Sequence, residues 1–321
     1  MSIGAAKIAV IVTEVEEINS LIKRFRFVRE DGGLMPAFSG GAHTVVEMQD
    51  GDTRRLNAYS LMSDPADLSG YEISVRREDG GRGGSLYMHR MVKPGMKMLI
   101  SPPVNLFAPD RRAKKHVLIA GGIGITPFMA QMAQMDALGA RFELHYAARN
   151  ADLCAYGAAL ADRYGARVHR YYDDAGQAID LKTLLATQPL GTHLYVCGPK
   201  GMIAWVLATA EAMGWPRGTV HSEEFLSPPV GQPFAVELAA SGKTITVGAT
   251  QSLLEAMEAA QVDAPYLCRG GACGQCETRV IRCDGHIDHA DHWLTEDQKA
   301  AQTHIMPCVS RFTGTTLVID R

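Results

Sequence analysis

The stretch Cys268–Cys276 has the sequence CRGGACGQC, and it decides how the C-terminal third of the chain folds. Its three cysteines have the spacing C-x4-C-x2-C, and a further cysteine, Cys308, follows after 31 intervening residues. Most of the positions between the three cysteines are small, namely Gly270, Gly271, Ala272 and Gly274. Such a loop can adopt positive φ angles and bring its backbone close to a group that the thiols hold.

The cysteine spacing is that of a plant-type [2Fe–2S] ferredoxin, in which four thiolates carry two irons. We therefore expect the metal ligands to be Cys268, Cys273, Cys276 and Cys308. A zinc site is the alternative, but zinc ligands usually occur as two C-x2-C pairs. Cys283 is the competing fourth ligand, although a predicted strand and turn make it a structural thiol.

Three histidines after this loop, His286, His289 and His292, are also spaced suggestively. A second metal site is one interpretation. An acidic, solvated loop with ordinary surface histidines is the interpretation that we favour.

Composition narrows the class of protein. The 321 residues suffice for two or three domains, and 46% hydrophobic content supports sizeable cores. A net charge of −3 without single-sign runs argues against nucleic-acid binding. No apolar run approaches the ~18 residues of a membrane span, and the N-terminal MSIGAAKIAVIVTEVEE reads as a strand rather than a signal peptide. Seven cysteines argue against a disulfide framework, so we expect a cytoplasmic protein.

Three segments follow one another in the chain. Residues 1–112 show short alternating runs between turns such as Asp50-Gly51 and Pro94-Gly95, which predicts an all-β, antiparallel β-barrel domain. Residues 113–227 alternate strands with helical stretches, which predicts a doubly wound α/β domain. Residues 228–321 begin within the Pro/Gly-rich stretch 226–233, and the pattern beyond it predicts a compact β-grasp ferredoxin domain.

The stretch HVLIAGGIGITPF (116–128) places a Gly-rich turn between a strand and a helix, where free N–H groups favour a phosphate. We expect Thr126 to cap this helix and Pro127 to occupy its first turn. The motif is not G-x-G-x-x-G, so a simple tight turn is an open alternative. A second turn, CGPKGM (197–202), should face the same crevice, because ligands bind at the C-terminal ends of parallel strands.

Taken in order, these motifs resemble the phthalate dioxygenase reductase family, within the ferredoxin–NADP reductase superfamily, over essentially the whole chain. The motifs are NAYSL (57–61), GRGGS (81–85), GGIGITP (121–127), CGPKGM (197–202), HSEEF (221–225) and the cysteine loop. NAYSL most resembles the reductase components of carnitine monooxygenases and related quaternary-amine oxygenases.

The resemblance implies FMN, NADH and a [2Fe–2S] cluster as cofactors. It implies a flavin site made of Asn57, Ala58, Tyr59, Ser60, Ser74, Val75, Arg76, Gly83, Gly84, Ser85, Thr126 and Phe225. It implies a nicotinamide dinucleotide site made of Gly121, Gly122, Ile123, Gly124, Thr126, Arg149, Asp173, Cys197, Gly198, Pro199 and Met202. The residues expected to orient the reacting groups are Ser60, Thr126, Cys197 and Glu223.

The chain departs from the family at two positions. Asn57 stands where the family motif has an arginine, and a neutral amide cannot neutralise a phosphate, so Arg55 or Arg76 is expected to take that role. Ser222 stands where many relatives have an aromatic residue. Asp173 favours NADH over NADPH, because a carboxylate suits a free ribose diol and repels a 2′-phosphate.

The resemblance implies a reductase that takes hydride from NADH onto FMN and passes single electrons through the cluster. The implied partner is a Rieske-type terminal oxygenase that acts on a quaternary amine or an aromatic acid. Two other functions stay open, a free-standing flavin or iron reductase and a non-enzymatic zinc-stabilised protein.

Overall fold

The computed structural model describes residues 7–321, so the first six residues of the predicted N-terminal strand lie outside the described part. The N-terminal sheet is antiparallel, with its longest path in the order β4-β3-β6-β1-β2-β5 and β7 paired to β3. Its strands are β1 Ile8–Asn19, β2 Ile22–Arg29, β3 Ala42–Asp50, β4 Thr53–Ser60, β5 Tyr71–Arg76, β6 Lys97–Ile100 and β7 Val104–Asn105.

Alternation along the strands buries one face of this sheet. In β1 the side chains of Val10 and Val12 are fully buried, and Phe25 and Phe27 of β2 lie in the same core. The end strands β4 and β5 contact each other, so the sheet curls into the predicted barrel. The predicted turn at Gly51 is confirmed, with φ +58° between the paired strands β3 and β4.

The sequence predicted that the first segment is purely β, and this prediction is wrong. An α-helix, α1 Gly84–Met91, follows the GRGGS loop. It buries Tyr87 and Met88 against the barrel core. The helix forms because the left-handed Gly83, with φ +94°, turns the chain, and because SLYMHRM contains no helix breaker.

The second sheet is wholly parallel, in the order β10-β9-β8-β11-β12. Helices cover both of its faces, which confirms the doubly wound prediction. The elements are β8 Lys115–Gly121, α2 Thr126–Ala137, β9 Phe142–Ala148, α3 Gly157–Tyr164, β10 Val168–Tyr172, α4 Leu181–Ala186, β11 Thr192–Cys197, α5 Lys200–Ala212 and β12 Val220–Glu223.

The predicted capping of α2 by Thr126 is wrong. A 3-10 turn, Gly122–Ile125, precedes the helix, and Ile125 occupies the N-cap position. The Thr126 hydroxyl donates to the Ile123 carbonyl at 3.0 Å instead of accepting from the first helical turn. The chain therefore passes from strand to helix without the extended residue that a hydroxyl cap requires.

The third sheet is mixed, in the order β14-β13-β17-β15-β16, which agrees with the predicted compact β-grasp domain. Helix α6 packs on it and begins with a capping box between Ser252 and Glu255. The elements are β13 Phe234–Leu238, β14 Lys243–Val247, α6 Leu253–Ala259, β15 Thr278–Asp288, α7 Glu296–Ala301, β16 His304–Ile305 and β17 Arg311–Ile319.

The three histidines do not share one solvated loop. His286 is exposed on β15, and His292 is exposed and pairs with Glu224 of the parallel-sheet segment at 2.9 Å. The side chain of His289 is only 6% exposed and lies beside Asp291, so the surface interpretation is wrong for that residue. None of the helices within residues 7–321 is long and apolar enough to cross a membrane.

Candidate cofactor-binding sites

The four predicted cluster ligands come together in space. The Cys276 thiol lies 3.3 Å from the Cys308 sulfur, although 31 residues separate them in the chain. The Cys268 and Cys273 thiols form a second hydrogen-bonded pair. Cys283 lies on β15 opposite Leu317 and takes part in neither pair.

The surroundings favour the thiolate form at one member of each pair, Cys268 and Cys276, whereas the hydrogen bond within the pair and burial raise the pKa of the other member, Cys273 or Cys308. The pKa of Cys268 is lowered to about 5 by a hydrogen bond from Cys273 and by backbone N–H groups that include that of Gly270. The Gly270 nitrogen lies 3.4 Å from the Cys268 sulfur. A hydrogen bond from Cys308 likewise lowers the pKa of Cys276. Four thiols with converging N–H donors fit an iron–sulfur cluster.

Close packing explains why the loop needs its glycines. Gly271 and Gly274 have φ angles of +72° and +74°. A Cβ atom on Gly274 would lie 2.2 Å from the indole ring of Trp293, and one on Gly271 would lie 3.1 Å from the backbone of Asp291. The Trp293 ring thus covers the loop while half of its side chain stays exposed, a relationship that the sequence analysis missed.

The guanidinium group of Arg55, which lies on strand β4, contacts the loop at the start of α1. Arg55 donates to the Arg82 carbonyl and pairs with Asp50 at 3.1 Å. A Cβ on Gly83 would lie 3.0 Å from its guanidinium carbon. Arg76, by contrast, is exposed and pairs with Glu78 at 2.9 Å. Of the two arginines considered for the phosphate, Arg55 is the one at the helix N-terminus.

Asn57 has a different role from the arginine that it replaces. Its amide packs against Gly84, where a Cβ would come within 2.5 Å of the amide nitrogen. The same amide donates to the Tyr59 hydroxyl at 3.2 Å. Asn57 thus connects the predicted phosphate loop with the predicted ring-contacting tyrosine. Ser85, at the next position of the loop, accepts a hydrogen bond from the Glu78 nitrogen at 3.0 Å.

One further predicted flavin residue, Ser74, lies where the barrel contacts the parallel-sheet segment. The Ser74 hydroxyl lies 2.6 Å from the hydroxyl of Tyr156, which has a left-handed backbone with φ +62°. Tyr156 could not be identified from the sequence, because only its positive φ distinguishes it and φ is not readable from sequence. Ser60 and Val75 are buried, Ala58 is exposed, and Phe225 is 48% exposed.

The two predicted nucleotide loops meet in one crevice. A Cβ on Gly124 would lie 2.2 Å from the Cys197 carbonyl oxygen, and a Cβ on Gly121 would lie 2.7 Å from Pro199 and from Met202. Gly198 lies against Gly121 in the same way. The glycines are therefore required by the approach of β8 to β11 at their C-terminal ends, which is where parallel sheets bind ligands. Gly122 and Ile123 are partly exposed beside this contact.

Two ionisable groups lie at the end of this crevice. Cys197 of β11 pairs in register with Glu223 of β12. Burial raises the pKa of the Glu223 carboxyl to about 8. The pKa of the Cys197 thiol is also raised, mainly by burial and to a smaller extent by the nearby Glu223 carboxyl. Within residues 7–321 the Glu223 Oε2 atom is buried and has no hydrogen-bond partner. A neutral carboxyl and a neutral thiol can orient a bound group without acting as bases.

The residues predicted to read the adenosine ribose lie at neighbouring strand ends. Arg149 follows β9 and Asp173 follows β10, and both side chains are exposed. The Arg149 carbonyl accepts a hydrogen bond from the Asp174 nitrogen at 3.0 Å, which holds the two strand ends together.

Comparisons with known proteins place the chain in a family. Residues 96–220 match the family described as dimethylamine monooxygenase subunit DmmA-like, N-terminal domain, and residues 236–313 match the 2Fe-2S iron-sulfur cluster binding domain. The chain is 44% identical to the heme-dependent oxidative N-demethylase beta subunit of Ectopseudomonas mendocina, over 96% of this chain and 97% of that one. It is also 44% identical to the carnitine monooxygenase reductase subunit of Acinetobacter baumannii, over 97% and 96% of the two chains.

A solved structure agrees over the whole length. Phthalate dioxygenase reductase, described as a modular structure for electron transfer from pyridine nucleotides to [2Fe-2S], superposes with a TM-score of 0.88. It is 34% identical and the match covers 98% of each chain. The chain therefore belongs to the phthalate dioxygenase reductase family, as an electron-transfer oxidoreductase with a [2Fe–2S] cluster binding domain.

Proposed function

We propose that this chain is the reductase component of a Rieske-type oxygenase system. When bound, FMN accepts a hydride from NADH and releases its electrons one at a time, and the cluster carries each electron onward. The observation that carries the proposal is the 3.3 Å contact of the Cys276 and Cys308 thiols. This contact brings Cys308 to the cysteine loop and so completes a set of four thiols, in a chain that also has two glycine-rich loops at the ends of parallel strands. The names of the relatives, as reductase subunits of monooxygenases, support an oxygenase as the electron acceptor.

The residues of this chain divide between three tasks in the proposal. Arg55 and the N-terminus of α1 hold the flavin phosphate, while Tyr59 and Ser60 contact the flavin itself. Residues 121–126 and 197–199 hold the nicotinamide dinucleotide, and Glu223 and Cys197 orient it. The ligands of the cluster are Cys268, Cys273, Cys276 and Cys308. The proposed domain boundaries are 1–112, 113–227 and 228–321, and they are supported by the three sheets, one of which falls within each range.

NADH is the proposed donor and the cytoplasm the proposed compartment. Asp173 supports NADH, since its carboxylate would repel the 2′-phosphate of NADPH. Seven cysteines without a disulfide support a reducing compartment.

Visible spectroscopy of the purified protein tests the proposal. We expect flavin and [2Fe–2S] absorption bands together, and a colourless protein that contains zinc would contradict the assignment. In Cys308→Ser, NADH-dependent reduction of cytochrome c should be lost while flavin-mediated dye reduction remains. Cys283→Ser is the matched control and should keep both activities. Equal loss of both activities in Cys308→Ser would argue against a separate cluster module.

A haem enzyme is the second candidate for the partner. The 44% identity to a subunit of a heme-dependent N-demethylase and the match to the dimethylamine monooxygenase subunit family favour it. Reconstitution separates the two partners. The reductase is mixed in turn with a purified Rieske oxygenase and a purified haem demethylase, and substrate-dependent NADH oxidation is measured. Coupled turnover with the haem demethylase alone would overturn the Rieske assignment and leave the reductase assignment intact.

A further inference from the structure

Helix α6 of the ferredoxin domain lies between the two loops that the electron must connect. Its residues Glu255 and Glu258 are three positions apart and thus lie on one face of the helix. Each forms an ion pair with an arginine whose side chain is largely shielded from solvent. One arginine comes from the GRGGS loop of the flavin domain and the other from the cysteine loop.

Arg82, the second residue of the GRGGS loop, crosses the domain boundary. Its guanidinium group pairs with the Glu255 carboxylate and donates from Nε to the Thr250 carbonyl at 2.6 Å. The two charged side chains are only 11% and 9% exposed. The Arg82 carbonyl also accepts from Arg55, so the guanidinium proposed to hold the phosphate and the contact with α6 share one residue.

Arg269 makes the corresponding contact from the cysteine loop. It directly follows the ligand Cys268, pairs with Glu258 and lies 3.9 Å from the centre of the Tyr266 ring. Its side chain is 7% exposed, and that of Glu258 is 16% exposed. The backbone of Arg269 has φ +54°, so the loop turns sharply where the guanidinium group leaves it.

These two pairs differ from ordinary surface ion pairs. Removal of one partner would leave a charge that is largely shielded from water, and this cost makes such a pair hard to separate. Glu255 is further restrained because its carboxylate accepts from the Ser252 nitrogen at 2.8 Å in the capping box. The two carboxylates therefore hold both arginines at a spacing set by one turn of helix.

We propose that Arg82 and Arg269 are positioning residues for electron transfer inside this chain, and that with Glu255 and Glu258 they fix the flavin loop and the cysteine loop to helix α6. In the step concerned, the reduced flavin gives up one electron and the oxidised cluster gains it, with no other reactant. The rate of such a step depends steeply on how closely the two groups are held.

The first test breaks the flavin-side pair from both ends. Arg82→Gln removes the charge from the flavin loop, whereas Glu255→Gln removes it from α6 and keeps the capping box, since glutamine also serves at that position. Arg90→Gln is the matched control, because Arg90 is an exposed arginine in the last turn of α1. The holoenzyme is mixed with NADH, and the absorbances of flavin and cluster are followed separately.

We expect flavin reduction to stay within about twofold of wild type in all three variants, and cluster reduction to slow by roughly tenfold or more in Arg82→Gln and Glu255→Gln only. The double variant should be no slower than either single variant, since the two residues form one contact. Wild-type cluster reduction in Glu255→Gln would overturn the proposal. Equal slowing of both steps in the two variants would also overturn it, because the pair would then act on the flavin site itself.

A second measurement does not depend on activity. Hydrogen exchange of the holoenzyme should show faster exchange in residues 81–85 and 250–259 of Arg82→Gln and Glu255→Gln, but not of Arg90→Gln. Unchanged exchange at both loops would contradict the proposed docking.

On the cluster side, Glu258→Gln should slow cluster reduction, whereas Arg279→Gln, which removes an exposed partner of Asp320, should not. Wild-type cluster reduction in Glu258→Gln, or equal slowing in Arg279→Gln, would overturn the proposal for Arg269 and Glu258. None of these assays uses an oxygenase, so their outcome is separate from that of the partner assignment.

Discussion

Cys197 and Glu223 lie side by side on the parallel strands β11 and β12, and the carboxyl of Glu223 is buried without a counter-charge close enough to lower its pKa. Burial therefore keeps this carboxyl neutral at a pH where exposed glutamates are ionised. The pair lies at the C-terminal ends of two neighbouring parallel strands, and the protonation state of the Glu223 carboxyl affects the stability of the folded protein.

Glu223 should make the wild-type protein less stable as the pH rises. Because its folded pKa of about 8 lies above the ordinary value of 4.5, its stabilising contribution is fully present below about 4.5 and is lost as the pH rises through 8. Between about pH 6 and pH 9 we expect the free energy of unfolding of the wild type to fall by on the order of 2 kcal/mol more than that of Glu223→Gln, because glutamine does not titrate. Calorimetric Tm values at both pH values check this.

The control for this experiment is Glu237→Gln, since Glu237 is exposed on β13. Its Tm should follow that of wild type at both pH values. A constant Tm difference between wild type and Glu223→Gln would mean that the Glu223 carboxyl does not titrate in this range.

A methyl group at Gly124 should separate the two halves of the dinucleotide crevice. In Gly124→Ala the new Cβ would meet the Cys197 carbonyl oxygen at 2.2 Å, which forces the backbone apart. We expect NADH binding to weaken by roughly tenfold or more, with a loss of stability of about 1 to 3 kcal/mol. Titration with NADH and urea unfolding measure the two effects.

Gly201→Ala supplies the comparison for that variant. Gly201 lies in helix α5, and within residues 7–321 a Cβ placed there would have no atom within 4 Å beyond its chain neighbours and the backbone of its own helix. Alanine there should stabilise the protein by about 0.5 to 1 kcal/mol, because it reduces the entropy of the unfolded chain. If both alanine variants bind NADH equally well, the close approach of the loops is not needed for binding.

Arg55 should contribute more to flavin affinity than Arg76. Its guanidinium lies at the N-terminus of α1, while that of Arg76 pairs with Glu78 on the surface. Loss of a charge-assisted hydrogen bond to phosphate costs about 1.5 to 3 kcal/mol, so Arg55→Gln should weaken FMN binding at least about tenfold. Fluorescence titration of the flavin-free protein measures this affinity, with riboflavin as the ligand that lacks phosphate.

Riboflavin binding should be nearly equal in wild type and Arg55→Gln, because no phosphate is present to lose its contact. A larger loss of FMN affinity in Arg76→Gln than in Arg55→Gln would reassign the phosphate contact to Arg76.

Asp173 should set the preference for NADH. Asp173→Ser removes the carboxylate that would repel a 2′-phosphate, and we expect kcat/KM for NADPH to rise about tenfold while that for NADH falls. Steady-state reduction of an artificial acceptor with each nucleotide checks the change. Asp152→Ser is the control, since Asp152 is an exposed aspartate outside the strand ends. An unchanged ratio in Asp173→Ser would mean that Asp173 does not face the ribose.

Local pattern explains which elements were predictable. Alternating apolar residues predicted the strands that became β1 and β3, whereas a continuous apolar run predicted β8, which is buried along nearly its whole length because helices cover both faces of its sheet. Helix α1 was missed, since its eight residues are too few for a helical period to stand out from the strands around it. The capping of α2 by Thr126 was misjudged, because the 3-10 turn before it has no distinct sequence pattern.

The four-thiol site and the order of the three modules were predictable without coordinates, because cysteine spacing, glycine-rich loops and apolar period are properties of short segments. Three contacts became known only from the folded chain: Arg82 meets Glu255 across 173 positions of the chain, Ser74 meets Tyr156, and Arg55 rather than Arg76 lies at α1. Such contacts depend on how the domains pack, and an arginine or a serine looks the same in the sequence whether it faces solvent or another domain.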